Sequence, residues 1–188
     1  MTDVLERICA WAQELGATHA RVITERSYLD AHEYVREACL QNACGKSGRC
    51  WTCPPHLGEL SDLEARLRLL PGGVLVQTIA PLEDSWDFEG MAAASHAHNA
   101  RMRELGRKLA QQYPNCATLV LGCGGCGFCE ACTCPDDPCR HPEEALGSVE
   151  GYGIDVKSLV ESVGLQYVNG ARTVSYVGAV MVCCDAGP

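Results

Sequence analysis

Six of the chain's 14 cysteines fall in one short run: Cys123-Gly-Gly-Cys126-Gly-Phe-Cys129-Glu-Ala-Cys132-Thr-Cys134-Pro-Asp-Asp-Pro-Cys139. Cys126, Cys129 and Cys132 form a C-x2-C-x2-C unit with Cys139 downstream. Thiolates at this spacing can converge on one metal centre, and three in succession with a fourth beyond is how ferredoxins wrap a cubane iron–sulfur cluster. Zinc is the competing metal, because C-x2-C also makes zinc knuckles, although zinc sites more often bring their ligands as two separated pairs. Cys139 is the expected fourth ligand. Cys134 precedes Pro135, as in some ferredoxins, but sits too close to Cys132 for easy convergence; it stays an option, and Cys123 is a spare thiol.

The glycines of this run suit a bulky inorganic core. Gly124, Gly125 and Gly127, with Gly122 before them, allow positive φ and let backbone N–H groups approach cluster sulfurs. A phosphate-cradling loop is the rival reading, and it fails because no Lys-Ser or Lys-Thr follows and cysteines interrupt the glycines. Arg140 follows Cys139 and could offset the negative charge of a thiolate-held cluster, or simply face solvent.

A second group lies upstream: Cys39, Cys44, Cys50 and Cys53, followed by Pro54, Pro55 and His56. Four cysteines and a histidine within eighteen residues point to another metal site, whereas buried structural thiols are the plain alternative. Gly45, Gly48 and the proline pair are loop composition rather than core composition. Candidates for acid–base work are fewer. His98 lies on the apolar stripe of a long helix, where most histidines are satisfied core residues. Glu83 and Asp87 belong to an acidic stretch around Trp86 and Phe88, and Asp87 is also placed to cap that helix.

Composition limits what such sites can serve. At 47% apolar and 21% charged, the chain reads as soluble and globular, and its net charge of −9 disfavours nucleic acid or an anionic membrane surface as partner. No apolar stretch is long enough to span a bilayer, and the N-terminus lacks the basic start and apolar core of a signal peptide. A cytoplasmic setting follows, with thiols reduced and cysteines serving metals rather than disulfides.

The elements that must position these loops read as alternating helices and strands. Asp3 with Glu6 suggests a capping box for a first helix carrying Val4, Leu5, Ile8, Ala12 and Leu15 up to Gly16. Ala20 to Thr24 and Glu33 to Arg36 read as short strands. Ser61 and Glu64 open a helix through Leu70, and Val74 to Ala80 is a strand. A long helix from about Glu89 to Tyr113 turns Met91, Ala94, His98, Met102, Leu105 and Leu109 inward. Cys116 to Leu121 is a strand that delivers the chain into the second cysteine run. Asp155 caps a helix ended by Gly164, and Gln166 to Val168 with Thr173 to Val182 reads as a hairpin about Asn169-Gly170. The expected architecture is α/β: one domain over 1–188, a mixed sheet flanked by helices, with the cysteine loops (39–56 and 123–141) at strand ends.

Taken together, Gln41-Asn42-Ala43-Cys44, Trp51-Thr52-Cys53-Pro54-Pro55, Leu82 to Gly90, Cys139-Arg140-His141-Pro142 and Glu150 to Val156 resemble the DUF2284-type family of predicted metal-binding proteins over nearly the whole chain. The resemblance implies metal binding of iron–sulfur type, through Cys39, Cys44 and Cys53 at one site and Cys126, Cys129, Cys132 and Cys139 at the other. It supplies no reaction. The sequence departs from the family's pattern at Cys50, Cys123 and Cys134; with Cys50 set aside, the first site holds three cysteines and leaves one iron open. The expected function is a redox module with two [4Fe-4S] clusters, in which electrons enter at the four-cysteine cluster and leave to a partner or to the first cluster. An iron–sulfur enzyme acting on a small sulfur-containing or reducible molecule at the open iron, and a zinc-stabilised scaffold, are the alternatives. Neither redox partner, substrate nor oligomeric state is legible.

Overall fold

Two apolar runs, each too continuous to face water on either side, become the middle of a three-layer sandwich. The computed structural model describes residues 1–184. Its strands are β1 (His19–Val22), β2 (Gly72–Pro81), β3 (Cys116–Gly122), β4 (Gly147–Ser148) and β5 (Thr173–Cys184). They form one sheet in the order β1-β2-β5-β3-β4. Every neighbouring pair is antiparallel except β3 with β4, so the sheet is mixed as expected. Helices α1 (Thr2–Glu14) and α4 (Phe88–Gln112) cover one face, and α3 (Leu60–Arg68) and α5 (Val156–Ser162) the other. The short helix α2 (Glu33–Leu40) packs at the edge of this body against a 3-10 turn, Glu150–Tyr152.

Alternation along the central strands builds both cores. Val74 and Val76 of β2 and Val180 and Val182 of β5 join Leu5, Ile8, Met102, Leu105 and Leu109 beneath α1 and α4. Leu75, Val177, Ala179 and Met181 point the other way, into Leu63, Leu67, Leu159 and Val160. Each fully buried side chain of this size contributes about 1.5–3 kcal/mol relative to exposure, so the sheet is a stiff platform for what leaves its ends.

Capping follows the sequence at two helices and not at the first. The Asp87 carboxylate accepts from Gly90 N at 2.8 Å and starts α4, and Asp155 accepts from the N–H groups of Lys157 and Ser158 at α5. The capping box expected from Asp3 and Glu6 does not form: α1 begins at Thr2, with Asp3 inside the first turn, where its charge favours the helix dipole.

Three other expectations are corrected. Glu33 to Arg36 is not a strand but the start of α2, because the helix delivers the buried Arg36 guanidinium to the carbonyls of Gly58 and Gly151. Gln166 to Val168 is not a strand and there is no hairpin at Asn169-Gly170: both edges of β5 are taken by β2 and β3, and the Asn169 amide instead bonds Gln166 O and Ser175 Oγ. The thiols are not all free either. Cys116 and Cys184 stand directly opposite across β3 and β5 and form a disulfide.

Candidate functional site

The second cysteine run begins where β3 ends, and α4 holds it there. Asn99 on α4 grips the backbone of Cys123 from both sides: Cys123 N donates to Asn99 Oδ1 at 2.9 Å, and Asn99 Nδ2 donates to Cys123 O at 3.0 Å. Gly122 makes this grip sterically feasible, since a Cβ there would stand 2.2 Å from Asn99 Oδ1. Beyond the anchor the loop folds around a small cavity lined by Cys126, Cys129, Cys132, Cys139 and also Cys50. Arg140 lines it too, its guanidinium donating to Ala131 O.

Arg103, one turn along α4 from Asn99, brings a guanidinium to these sulfurs. It is 8% exposed, and its Nη2 donates to Cys126 O at 2.6 Å and to Cys126 Sγ at 3.4 Å. Nε donates to Glu144 O at 2.8 Å, and the guanidinium lies 5.0 Å from the Phe128 ring centroid.

The first group forms a separate cavity of about 320 Å³, lined by Cys39, Cys44 and Cys53. Cys39 comes from the last turn of α2; the other two come from the loop that follows. That loop is shaped locally: Asn42 adopts φ 59°, its Oδ1 accepts from Ser47 N at 2.9 Å, and Pro54 O accepts from Gly48 N at 2.8 Å. Gly124 and Gly125, expected around the second set of sulfurs, line this first cavity; Gly127 lines the second. Glu150 also faces the first cavity. Its Oε2 is enclosed and has no hydrogen-bond partner, and burial pushes its carboxyl above the usual carboxylate range. Burial, then the Glu150 charge, raise Cys39 as well.

One short segment separates the two spaces. Cys50 opens on one cavity and Cys53 on the other. The Cys53 thiol beside it pulls the Cys50 pKa down, while the Cys53 pKa is raised; Cys50 Sγ also stands 3.3 Å from the Thr52 hydroxyl. Between these two cysteines, Trp51 donates Nε1 to Asp137 O at 3.0 Å, tying the first loop to the second. Among the described residues, no three His, Cys, Asp or Glu side chains converge tightly enough for a single metal ion. The sulfurs ring two spaces instead.

The remaining candidates lie elsewhere. Cys134 is buried with its thiol toward Gly48 O at 3.9 Å, and Cys123 is buried against Ser95 and Asn99; neither lines a thiol cavity. His98 is fully buried with Nδ1 at 3.0 Å from Thr78 Oγ1, and burial lowers its pKa to about 4. Asp87 is occupied by its cap and by Glu83 N, and neither Glu83, Asp87 nor His98 reaches either cavity. Sequence reasoning missed Arg103 and Glu150. A weak signal existed for the first: Asn99 and Arg103 lie four residues apart, beside the inward stripe, at positions where a solvated helix face would not be buried.

A family model described as predicted metal-binding protein (DUF2284) matches residues 23–182. No curated protein matches. Among solved structures, that of epoxyqueuosine reductase from Streptococcus thermophilus is similar over 99% of this chain and 47% of its own, at 9% identity and a TM-score of 0.46. The chain thus spans about half the length of that protein.

Proposed function

The chain belongs to the DUF2284 family of predicted metal-binding proteins, and from that premise we propose that it is a cytoplasmic redox module holding an iron–sulfur cluster in each of its two thiol cavities. The observation that carries this reading is the partition of the sulfurs. Cys126, Cys129, Cys132 and Cys139 share one space with Cys50, while Cys39, Cys44 and Cys53 share the other. The donor set fits: several soft thiolates around a space, in glycine-rich loops, suit a cluster better than a single ion, which needs four donors about 2.3 Å from one point.

A cluster held in such a cavity supplies one-electron chemistry. The chain's own groups do the rest. Arg103 offsets thiolate charge at Cys126, Asn99 fixes where the loop starts, and Trp51 keeps the loops in register. The segment Cys50 to Cys53 forms a thin partition, so electrons can pass between the two centres through a few bonds. The helices of the described residues include none long and apolar enough to cross a membrane.

The size of the first cavity, about 320 Å³ against about 40 Å³ for the second, favours a second reading. In it, a small reducible or sulfur-containing molecule binds beside Cys39, Cys44 and Cys53, and the protein is an enzyme. Anaerobic purification followed by iron, sulfide and zinc analysis tests what both readings share. Iron and acid-labile sulfide in near-equal amounts are expected; stoichiometric zinc without sulfide overturns both.

A further inference from the structure

We propose that Glu150, through Oε2, is the ligand that completes the metal centre at Cys39, Cys44 and Cys53. This rests on the reading of that cavity as a cluster site. Three thiols leave a cubane one ligand short, and Glu150 is the carboxylate that lines the same cavity. Its Oε2 is enclosed without a hydrogen-bond partner. A buried carboxylate oxygen left bare in a folded protein calls for a partner. No cation fills the role among the described residues: the nearby Arg36 guanidinium is engaged by the carbonyls of Gly58 and Gly151.

The backbone keeps Glu150 in place. Val149 N donates to Gly122 O at 3.2 Å, and Gly153 N returns to Glu150 O at 2.9 Å, which closes the turn. Cys39 Sγ approaches the same carbonyl at 3.9 Å, so this turn lies beside the sulfur set, and Glu150 lines the cavity. Iron accepts carboxylate oxygen alongside softer donors. The oxygen brings a lone pair to the iron that lacks a thiolate, with no change in oxidation state, and a fixed protein ligand there favours electron transfer over substrate binding.

The test uses the full chain, reconstituted with iron and sulfide and reduced, in H₂O and in D₂O. The readout is the electron–nuclear coupling of exchangeable deuterons to the cluster at the first cavity, which is the signal lost in Cys53→Ser. Wild-type protein should show no strongly coupled exchangeable deuteron, because no solvent occupies the fourth position. Glu150→Gln should gain that coupling, and Glu150→Cys should lose it again with a shifted spectrum. A solvent deuteron in the wild type, or a Glu150→Gln spectrum identical to the wild type, overturns the assignment while leaving the cluster reading intact. Iron and sulfide content unchanged by Cys53→Ser overturns the cluster reading at this cavity and the assignment with it.

Discussion

The two cavities share a partition and a ligand type but differ in what surrounds the sulfurs. The second gathers its thiols chiefly from one loop and is faced by guanidinium groups, Arg103 and Arg140. The first takes one thiol from the end of α2 and two from the following loop, and it is faced by a carboxylate, Glu150. Positive charge stabilises the more negative, reduced state of a centre, and negative charge does the reverse. If each cavity holds a cluster, as proposed, electrons should rest at the second cavity and leave the first more readily. On the proposed two-cluster reading, that order is opposite to the one expected from ligand count alone, and the charged groups around each thiolate set, more than the number of thiolates, would set the poise.

The sharpest way to break this comparison is to remove one thiol from each side. Cys129→Ser should strip metal from the second cavity and Cys44→Ser from the first, each leaving the other centre's absorption and metal in place. Loss of all metal in both variants would merge the two cavities into one site. Gly122→Ala attacks the anchor of the second cavity alone. The added Cβ meets Asn99 Oδ1 and breaks the grip on Cys123, so stability should fall by about 2–4 kcal/mol. Urea midpoints report it, and an unchanged midpoint would show that the anchor is not needed.

His98 offers a control on the scaffold, away from both cavities. Its pKa is depressed to about 4 against an ordinary value near 6.5. The unfolded chain thus binds the extra proton first, and the stability held above about pH 6.5 is lost as the pH falls toward about 4. The loss should be on the order of 3 kcal/mol, and it should be absent in His98→Asn once the fall common to both proteins is subtracted. Equal pH profiles in the two proteins would remove His98 as the cause. The smallest effect is at Arg103. Arg103→Leu should lower the potential of the second centre by about 50–100 mV, from the loss of one charge-assisted hydrogen bond, and leave the first unmoved. Redox titration followed at each centre's own signal decides it, and equal shifts at both would mean that Arg103 acts through the fold rather than on Cys126.

Local chemistry was legible and long-range placement was not. Asp87 and Asp155 announce their helices because a cap is made within three residues. The C-x2-C-x2-C unit is local in the same way, and its three cysteines line one cavity. Tyr34 and Val35 suggested a strand by composition, and a helix won because Arg36 reaches carbonyls 22 and 115 residues away. Asn169-Gly170 suggested a hairpin, but the central position of β5 leaves no edge for one. Cys50 and Cys53 are three positions apart in sequence yet open on different cavities, a division that depends on where Cys126 and Cys39 arrive. Arg103 and Glu150 lie 23 and 111 residues from the cysteines they meet, and no spacing rule connects them.

The position of β5 has a consequence for how the protein is made. It is the central strand and the last of the described elements in the chain. Until it leaves the ribosome, β1–β2 and β3–β4 are separate ribbons with nothing between them. Both cysteine loops are synthesised well before that moment, and the bond from Trp51 to Asp137 that ties them is made without β5. The sheet whose ends carry both loops is complete only once translation has passed Cys184. On the proposed reading, metal captured before β5 closes the sheet would meet cysteine loops whose spacing the sheet does not yet fix.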